Sequence, residues 1–222
     1  MALRSGPVTR STTISAVFWD FGGVILSSPF EAFNRFERDA GLPVDIIRRI
    51  NATNPDSNAW ARLERSDITP DQFDDEFARD AATHGVGIRG SDVLALLRGE
   101  VRPEMVQALD RVKAAGFATA CLTNNVVSHD SPSADEDRPH REVMARFDVV
   151  VESSKAGVRK PEPRFYEIAC ELVGVRPEQC VFLDDLGINL KPAASMGMTT
   201  IKVVTADQAL TELEGHLGIA LR

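Results

Sequence analysis

The chain has 222 residues, 43% of them hydrophobic and 26% charged. That is the balance of a globular protein with a full core, long enough for one sizeable domain or a domain with an insert. A net charge of -8 argues against a nucleic-acid backbone or an anionic membrane as main partner, and no apolar run approaches a membrane span.

Residues 1–14 are polar and lack the apolar segment of a signal peptide, so they read as a loose leader. Ala16-Val17-Phe18-Trp19 then forms an apolar run that ends in Asp20, and Gly22 and Gly23 follow. A short apolar run bounded by glycine predicts a buried strand of a parallel sheet. Asp20 then falls at the carboxyl end of that strand, where open α/β sheets bind ligands. The glycines would let the backbone turn sharply and approach a bound group. A carboxylate there suits a nucleophile or a metal ligand, and it equally suits a plain turn cap.

Residues 28–98 read as helical, with no clear strand. Ser28-Pro29-Phe30-Glu31 predicts a capping box, followed by Phe33 and Phe36 on one face. Ile46, Ile47 and Ile50 predict a second helix, and Trp60 with Leu63 a short third. Thr69-Pro70-Asp71-Gln72 repeats the capping signature ahead of Phe73, Phe77 and Ala81. Val93 to Leu97 is a further helix. The aromatic residues of this region suit a core or an apolar pocket.

From residue 99 the pattern changes to helix alternating with strand. Helices are expected over Pro103–Ala115, Val143–Phe147, Pro163–Val173, Asn189–Met196 and Ala206–Leu217. Strands are expected over Phe117–Leu122, Asp148–Val151, Cys180–Leu183 and Thr199–Val204, with a polar excursion over Val126–Arg141. Such alternation implies a three-layer, Rossmann-like α/β fold: a parallel sheet with helices on both faces. Right-handed crossovers bring all strand carboxyl ends to one edge. The α/β core is then 15–27 with 99–222, interrupted by the helical insert 28–98. Cys121, Cys170 and Cys180 lie in apolar stretches without C-x-x-C spacing, which suggests buried thiols in a reducing cytoplasm.

The strand ends deliver Asp20, then Thr123-Asn124-Asn125, then Lys160 in the following loop, then Asp184-Asp185. Taken singly, Asp184-Asp185 suits a helix cap, Thr123-Asn124 a turn, and Lys160 a solvated side chain. Taken together, carboxylates from two strands, a hydroxyl and an ammonium converge. Paired carboxylates suit a hard cation such as Mg²⁺. The cation and Lys160 would neutralise a dianionic phosphate, and Thr123 and the amides after it would hydrogen-bond its oxygens.

The order Asp20-x-Gly22-Gly23-Val24, Leu122-Thr123-Asn124, Lys160-Pro161, Asp184-Asp185-x-x-x-Asn189 resembles the haloacid dehalogenase-like hydrolase superfamily. The stretch Val181 to Ala193 is similar to the N-terminal phosphatase domain of soluble epoxide hydrolases and to the matching domain of an acyl-CoA dehydrogenase family member. The resemblance implies that the helical insert is a cap domain over the active site. It implies that Asp20 forms an aspartyl-phosphate, and that Asp20, Asp185 and the Gly22 carbonyl hold Mg²⁺ with Asp184 in support. It further implies that Gly22, Gly23, Thr123, Asn124 and Lys160 bind the phosphoryl group, and that Asn189 orients the Asp184-Asp185 motif. The expected partner is a small phosphate ester, either a metabolite or a lipid phosphate.

One departure stands out. Phosphatases of this superfamily mostly carry a second Asp two residues after the nucleophile, which protonates the leaving group. Here that position is Gly22. The substrate then has a good leaving group, or another residue supplies the proton, with His84, His129 and His140 as candidates. A degenerate member that binds without catalysis is the alternative, and a metal-independent 2-haloacid dehalogenase is a third reading. Epoxide hydrolysis is not expected, since no G-x-S-x-G elbow occurs.

Overall fold

The computed structural model describes residues 13–125 and 138–222. The expectations for the leader, for most of the polar excursion and for His129 fall outside the described residues.

Five parallel strands form one sheet: β1 (Ala16–Trp19), β2 (Ala118–Thr123), β3 (Val149–Glu152), β4 (Cys180–Asp184) and β5 (Thr199–Lys202), in the spatial order β3-β2-β1-β4-β5. Side chains alternate across each strand. Val17 and Trp19 therefore enter one apolar layer, and Ala16 and Phe18 the other. Both layers are roofed by helices, so the strands are apolar on both faces, as a parallel sheet requires.

Eleven α-helices occur among the described residues. The first five are α1 (Pro29–Asp39), α2 (Ile46–Ala52), α3 (Ala59–Glu64), α4 (Pro70–Thr83) and α5 (Gly90–Ala95). The others are α6 (Pro103–Ala114), α7 (Arg138–Met144), α8 (Ser153–Ala156), α9 (Pro163–Val173), α10 (Gly187–Ser195) and α11 (Ala206–Leu217). Met105, Leu109 and Val112 of α6 and Leu210 and Leu213 of α11 pack on the Trp19 face. Phe165 and Tyr166 of α9 and Leu190 and Ala193 of α10 pack on the Phe18 face.

Helices α1 to α5 enclose an apolar core of their own, with Phe33, Ile47, Leu63, Phe73, Phe77 and Val93 at its centre. Phe30, Phe36 and Trp60 pack around it. The aromatic residues of this layer are thus core. The chain leaves the sheet and returns through two adjoining strands of linker: Leu26 and Val101 form an antiparallel bridge, and Ser27 N–H donates to the Glu100 carbonyl at 2.8 Å. A Cβ on Gly99 would lie 2.7 Å from the Ser27 carbonyl oxygen, so the close approach requires glycine there.

The structure corrects three local expectations. The Thr69–Gln72 capping box forms in both directions, but Ser28 makes no cap hydrogen bond to α1. Its hydroxyl instead donates to Asp185 Oδ2 at 3.3 Å. The helix expected at Val143–Phe147 is Arg138–Met144, because Pro139 presets helical φ in its first turn while Val143 supplies the buried contact. Only Gly23 of the Gly22–Gly23 pair uses the left-handed region (φ 77°), whereas Gly22 sits at φ -70°, ψ 133°, open to any residue.

Candidate active site

Register sets the site. Trp19 pairs with Leu183, and Asp20 N–H donates to the Leu183 carbonyl at 2.8 Å, so Asp20 and Asp184 emerge side by side at the carboxyl edge. Period-two alternation puts Asp184 on the same face as Phe182, over α9. Lys160 lies just before α9 and reaches this face, its ammonium 5.7 Å from the Phe182 ring centroid. A cis peptide joins Lys160 to Pro161.

There Lys160 Nζ contacts Asp20 Oδ1 at 2.7 Å and Asp184 Oδ2 at 2.8 Å. Asp184 is wholly buried, and its carboxylate also accepts from the Leu186 N–H at 2.8 Å and the Asn189 amide at 3.1 Å. Tyr166 holds Asn189 in turn, donating its hydroxyl to the Asn189 carbonyl at 2.7 Å. One carboxylate oxygen from each of Asp20, Asp184 and Asp185 lies within 4.8 Å of the other two. The opening left by Gly23 admits Asp185, whose Oδ2 would lie 2.2 Å from a Cβ on that glycine.

The electrostatics follow from burial. Burial pushes the Asp20 carboxyl well above the usual carboxylate range, against the pull of the Lys160 charge. Burial, then the neighbouring Asp184 charge, pushes Asp185 up to about 6. For Lys160 burial acts downward, but the Asp184 and Asp20 carboxylates outweigh it and hold the ammonium firmly charged. Three carboxylates against one ammonium leave the cluster short of positive charge. All-oxygen donors and a negative surplus fit a hard divalent cation such as Mg²⁺.

Thr123 closes β2 and is buried. The Asn124 side chain clamps the Lys160 backbone, accepting from its N–H at 2.9 Å and donating to its carbonyl at 3.0 Å. The Asn125 N–H is committed to Ser153 Oγ at 3.0 Å, which removes one of the amides expected to meet a phosphate. Of the proton-donor candidates, His84 meets Thr53 at 3.2 Å within the helical layer. His140 meets the Gly99 carbonyl at 3.0 Å and stacks edge-on against Phe21.

Further contributors lie outside the sequence motifs. Ser28 touches Asp185. Glu64, at the end of α3, accepts from Arg159 and, at 3.2 Å, from Asn124. Trp60 and Glu64 stand one helical turn apart, a spacing visible in the sequence, but no local window shows that this face turns toward the sheet edge.

The carboxyl edge of a parallel α/β sheet thus carries a buried lysine among three carboxylates. The chain belongs to the haloacid dehalogenase-like hydrolases, whose family model matches residues 14–197. It is 37% identical over 214 residues to acyl-CoA dehydrogenase family member 10 of Mus musculus, covering 93% of this chain and 19% of that protein. It is 31% identical over 220 residues to bifunctional epoxide hydrolase 2 of Sus scrofa, covering 94% and 40%. The chain thus spans less than half the length of either relative. A sesquiterpene phosphatase of Aspergillus oryzae matches at 25% identity over 93% of this chain and 98% of its own. Among solved structures, a HAD family enzyme of Bacteroides thetaiotaomicron, in complex with magnesium and inorganic phosphate, shares the fold with a TM-score of 0.58 at 19% identity, over 90% of this chain and 98% of that one.

Proposed function

We propose that this chain is a Mg²⁺-dependent phosphomonoester hydrolase acting through an aspartyl-phosphate on Asp20. The observation that carries the reading is the meeting of Asp20, Asp184, Asp185 and Lys160 at one sheet edge. In this reading residues 15–27 and 99–222 are the catalytic core, residues 1–14 a leader, and residues 28–98 a cap. The separate apolar core of α1 to α5 and the paired linkers support a cap.

Asp20 attacks phosphorus and the P–O bond to the leaving group breaks; with Gly22 in place of an acid, the leaving group departs as its anion and takes a proton from solvent water. Water then attacks the phosphorus of the aspartyl-phosphate, releases phosphate and restores the carboxylate. Lys160 offsets charge on Asp20 and on the phosphoryl oxygens, while Thr123 and the Asn124 backbone N–H bind those oxygens. Asp20, Asp185 and the Gly22 carbonyl would hold Mg²⁺, with Asp184 in support, and the ion would supply further neutralisation of phosphoryl charge. Asn189 and Tyr166 keep Asp184 in place for Lys160. The substrate is a small phosphorylated metabolite or a lipid phosphate. A phosphatase among the relatives supports phosphate-ester chemistry. The free, buried cysteines Cys121, Cys170 and Cys180 accord with a cytoplasmic setting.

The test is hydrolysis of an aryl phosphate with and without Mg²⁺. Parent protein should turn over and Asp20→Asn should not, with both equally folded. Equal activity of the two would sink the reading. Gly22 favours a second one, a ligand-binding member with weakened catalysis; saturable binding of phosphate esters without product would support it. Loss of activity with a chelator would argue against the third reading, 2-haloacid dehalogenase chemistry, which needs no metal.

A further inference from the structure

Two carboxylates are buried in the helical layer, Glu37 and Glu64. Glu37 is accounted for locally. It accepts from the Asp45 and Ile47 N–H groups at 2.7 and 2.9 Å and so covers the start of α2, whose own N-cap, Asp45, sits at φ 60° and makes no side-chain cap.

Glu64 has a different set of partners. Trp60 Nε1 donates to its Oε1 at 3.0 Å. Its Oε2 takes the other two donors, Arg159 Nε and Asn124 Nδ2, and both come from the sheet edge. Burial raises its pKa, opposed by the Arg159 charge. A buried acid held by three donors is expensive unless the arrangement is maintained as a unit.

Those two donors flank Lys160. Arg159 precedes it in the chain, and Asn124 grips its backbone on both sides. Around this centre the two residues that follow the helix make further crossings: Arg65 pairs with Glu162 at 2.8 Å, and Ser66 Oγ donates to the Ser154 carbonyl at 3.2 Å. Arg159 itself reaches back to the Pro55 carbonyl at 3.1 Å.

We infer that Glu64 is a positioning residue: through Asn124 and Arg159 it makes the placement of the Lys160 ammonium depend on the seating of the helical layer. The inference rests on the phosphatase reading for its effect on turnover, but not for its effect on structure. With the layer seated, the Asn124 clamp and the Lys160 turn are fixed from both sides. With the tie removed, the turn after β2 and the Arg159–Lys160 segment ahead of α9 relax, and Lys160 loses its aim at Asp20.

The experiment compares Glu64→Ala, Glu64→Gln, Asn124→Ala and the Glu64→Ala/Asn124→Ala double variant. Arg62→Ala serves as control, because Arg62 shares α3 but pairs with Glu76 inside the layer at 2.6 Å. Amide hydrogen exchange is read at 122–125 and 159–160, and kcat and KM are measured on an aryl phosphate well below each Tm. Glu64→Ala should speed exchange at both turns and lower kcat by about 10- to 100-fold, the cost of misaligning a charge-bearing group. Glu64→Gln keeps an acceptor oxygen and should recover most of that loss. The double variant should be no worse than Asn124→Ala alone, since neighbours in one network are not additive.

Unchanged exchange at the two turns in Glu64→Ala would overturn the inference. So would faster exchange with an unchanged kcat, or a loss that Arg62→Ala reproduces. If Glu64→Ala fails to fold, Arg159→Ala reports on the same tie. If the parent hydrolyses nothing, the phosphatase reading fails; exchange at the two turns and the affinity of Mg²⁺-loaded protein for inorganic phosphate still decide this one.

Discussion

A Cβ on Gly23 would stand 2.2 Å from Asp185 Oδ2 and 2.4 Å from its Cγ. Gly23 also occupies the left-handed region, at φ 77°. One glycine thus meets two demands, the turn after the Asp20 strand and the space for an acid from a distant strand. Gly23→Ala incurs roughly 1–2 kcal/mol from backbone conformation alone, and the methyl group must push Asp185 aside. The expected result is loss of the Mg²⁺-dependent rise in Tm and a fall in kcat/KM of about 100-fold or more. Gly22→Ala should keep both, since its backbone is ordinary and a Cβ there meets nothing within 4 Å. If Gly23→Ala responds to Mg²⁺ as the parent does, Asp185 is not a ligand held by this gap.

The open space at Gly22 supports a second prediction. Among the described residues nothing excludes a side chain where relatives of the resembled family carry an acid. The parent should hydrolyse phosphates with acidic leaving groups far faster than alkyl phosphates. Gly22→Asp should raise alkyl phosphate turnover by about 10²–10⁴ and flatten the dependence on leaving-group pKa. The check is a series of substrates of graded leaving-group pKa run on both proteins. A flat series for the parent would mean that a proton donor is already present.

How far the sequence carried the fold and the site depends on the range of the interactions. The sheet was readable because apolar runs and glycine punctuation are local, and the strands lie within a residue or two of their expected bounds. Asp20, Thr123, Lys160, Asp184 and Asp185 were readable as candidates because alternation delivers them to one edge. The Ser28 capping box was a reasonable local expectation that a tertiary partner, Asp185, displaced. Glu64 was invisible for the same reason. Its two donors at the sheet edge lie 60 and 95 positions away, and only the packing of α3 against that edge brings them together.

Lys160 gives a prediction about stability. Its side chain is 1% exposed and lies between two carboxylates. Lys160→Met leaves those acids buried without a counter-charge, which costs about 3–5 kcal/mol. For a chain of this size that is a drop in Tm on the order of 6–20 °C, together with loss of turnover. Adding Asp184→Asn to Lys160→Met removes one uncompensated charge and should restore part of the Tm but none of the activity. Calorimetry of the three proteins in chelator decides it: an unchanged Tm in Lys160→Met would show that the ion pairs contribute nothing.

The last prediction concerns pH and metal together. In the metal-free protein the Asp185 carboxyl is raised from 3.8 to about 6, through burial first and the Asp184 charge second. Asp20 is shifted the same way, again through burial first. Between 3.8 and about 6 the folded protein therefore holds protons at Asp185 that the unfolded chain has released. The unfolded state binds fewer protons, so stability falls as pH rises across that window. The contribution is fully present below the lower value and gone above the upper one. The gap sets a ceiling of ~3 kcal/mol for Asp185 alone, lowered by solvent screening at a group that is not fully buried. A divalent cation takes over the role of the proton, because it stabilises the ionised acids. The Tm in chelator should thus decline from pH 5 to pH 7.5 relative to the Tm in Mg²⁺, and the gap between the two curves should widen with pH. The measurement is a pair of thermal unfolding series, repeated on Asp185→Asn. In that variant the Asp185 share of the widening should disappear and only the Asp20 share should remain; a gap that stays constant with pH in the parent would mean that both acids are already ionised without metal.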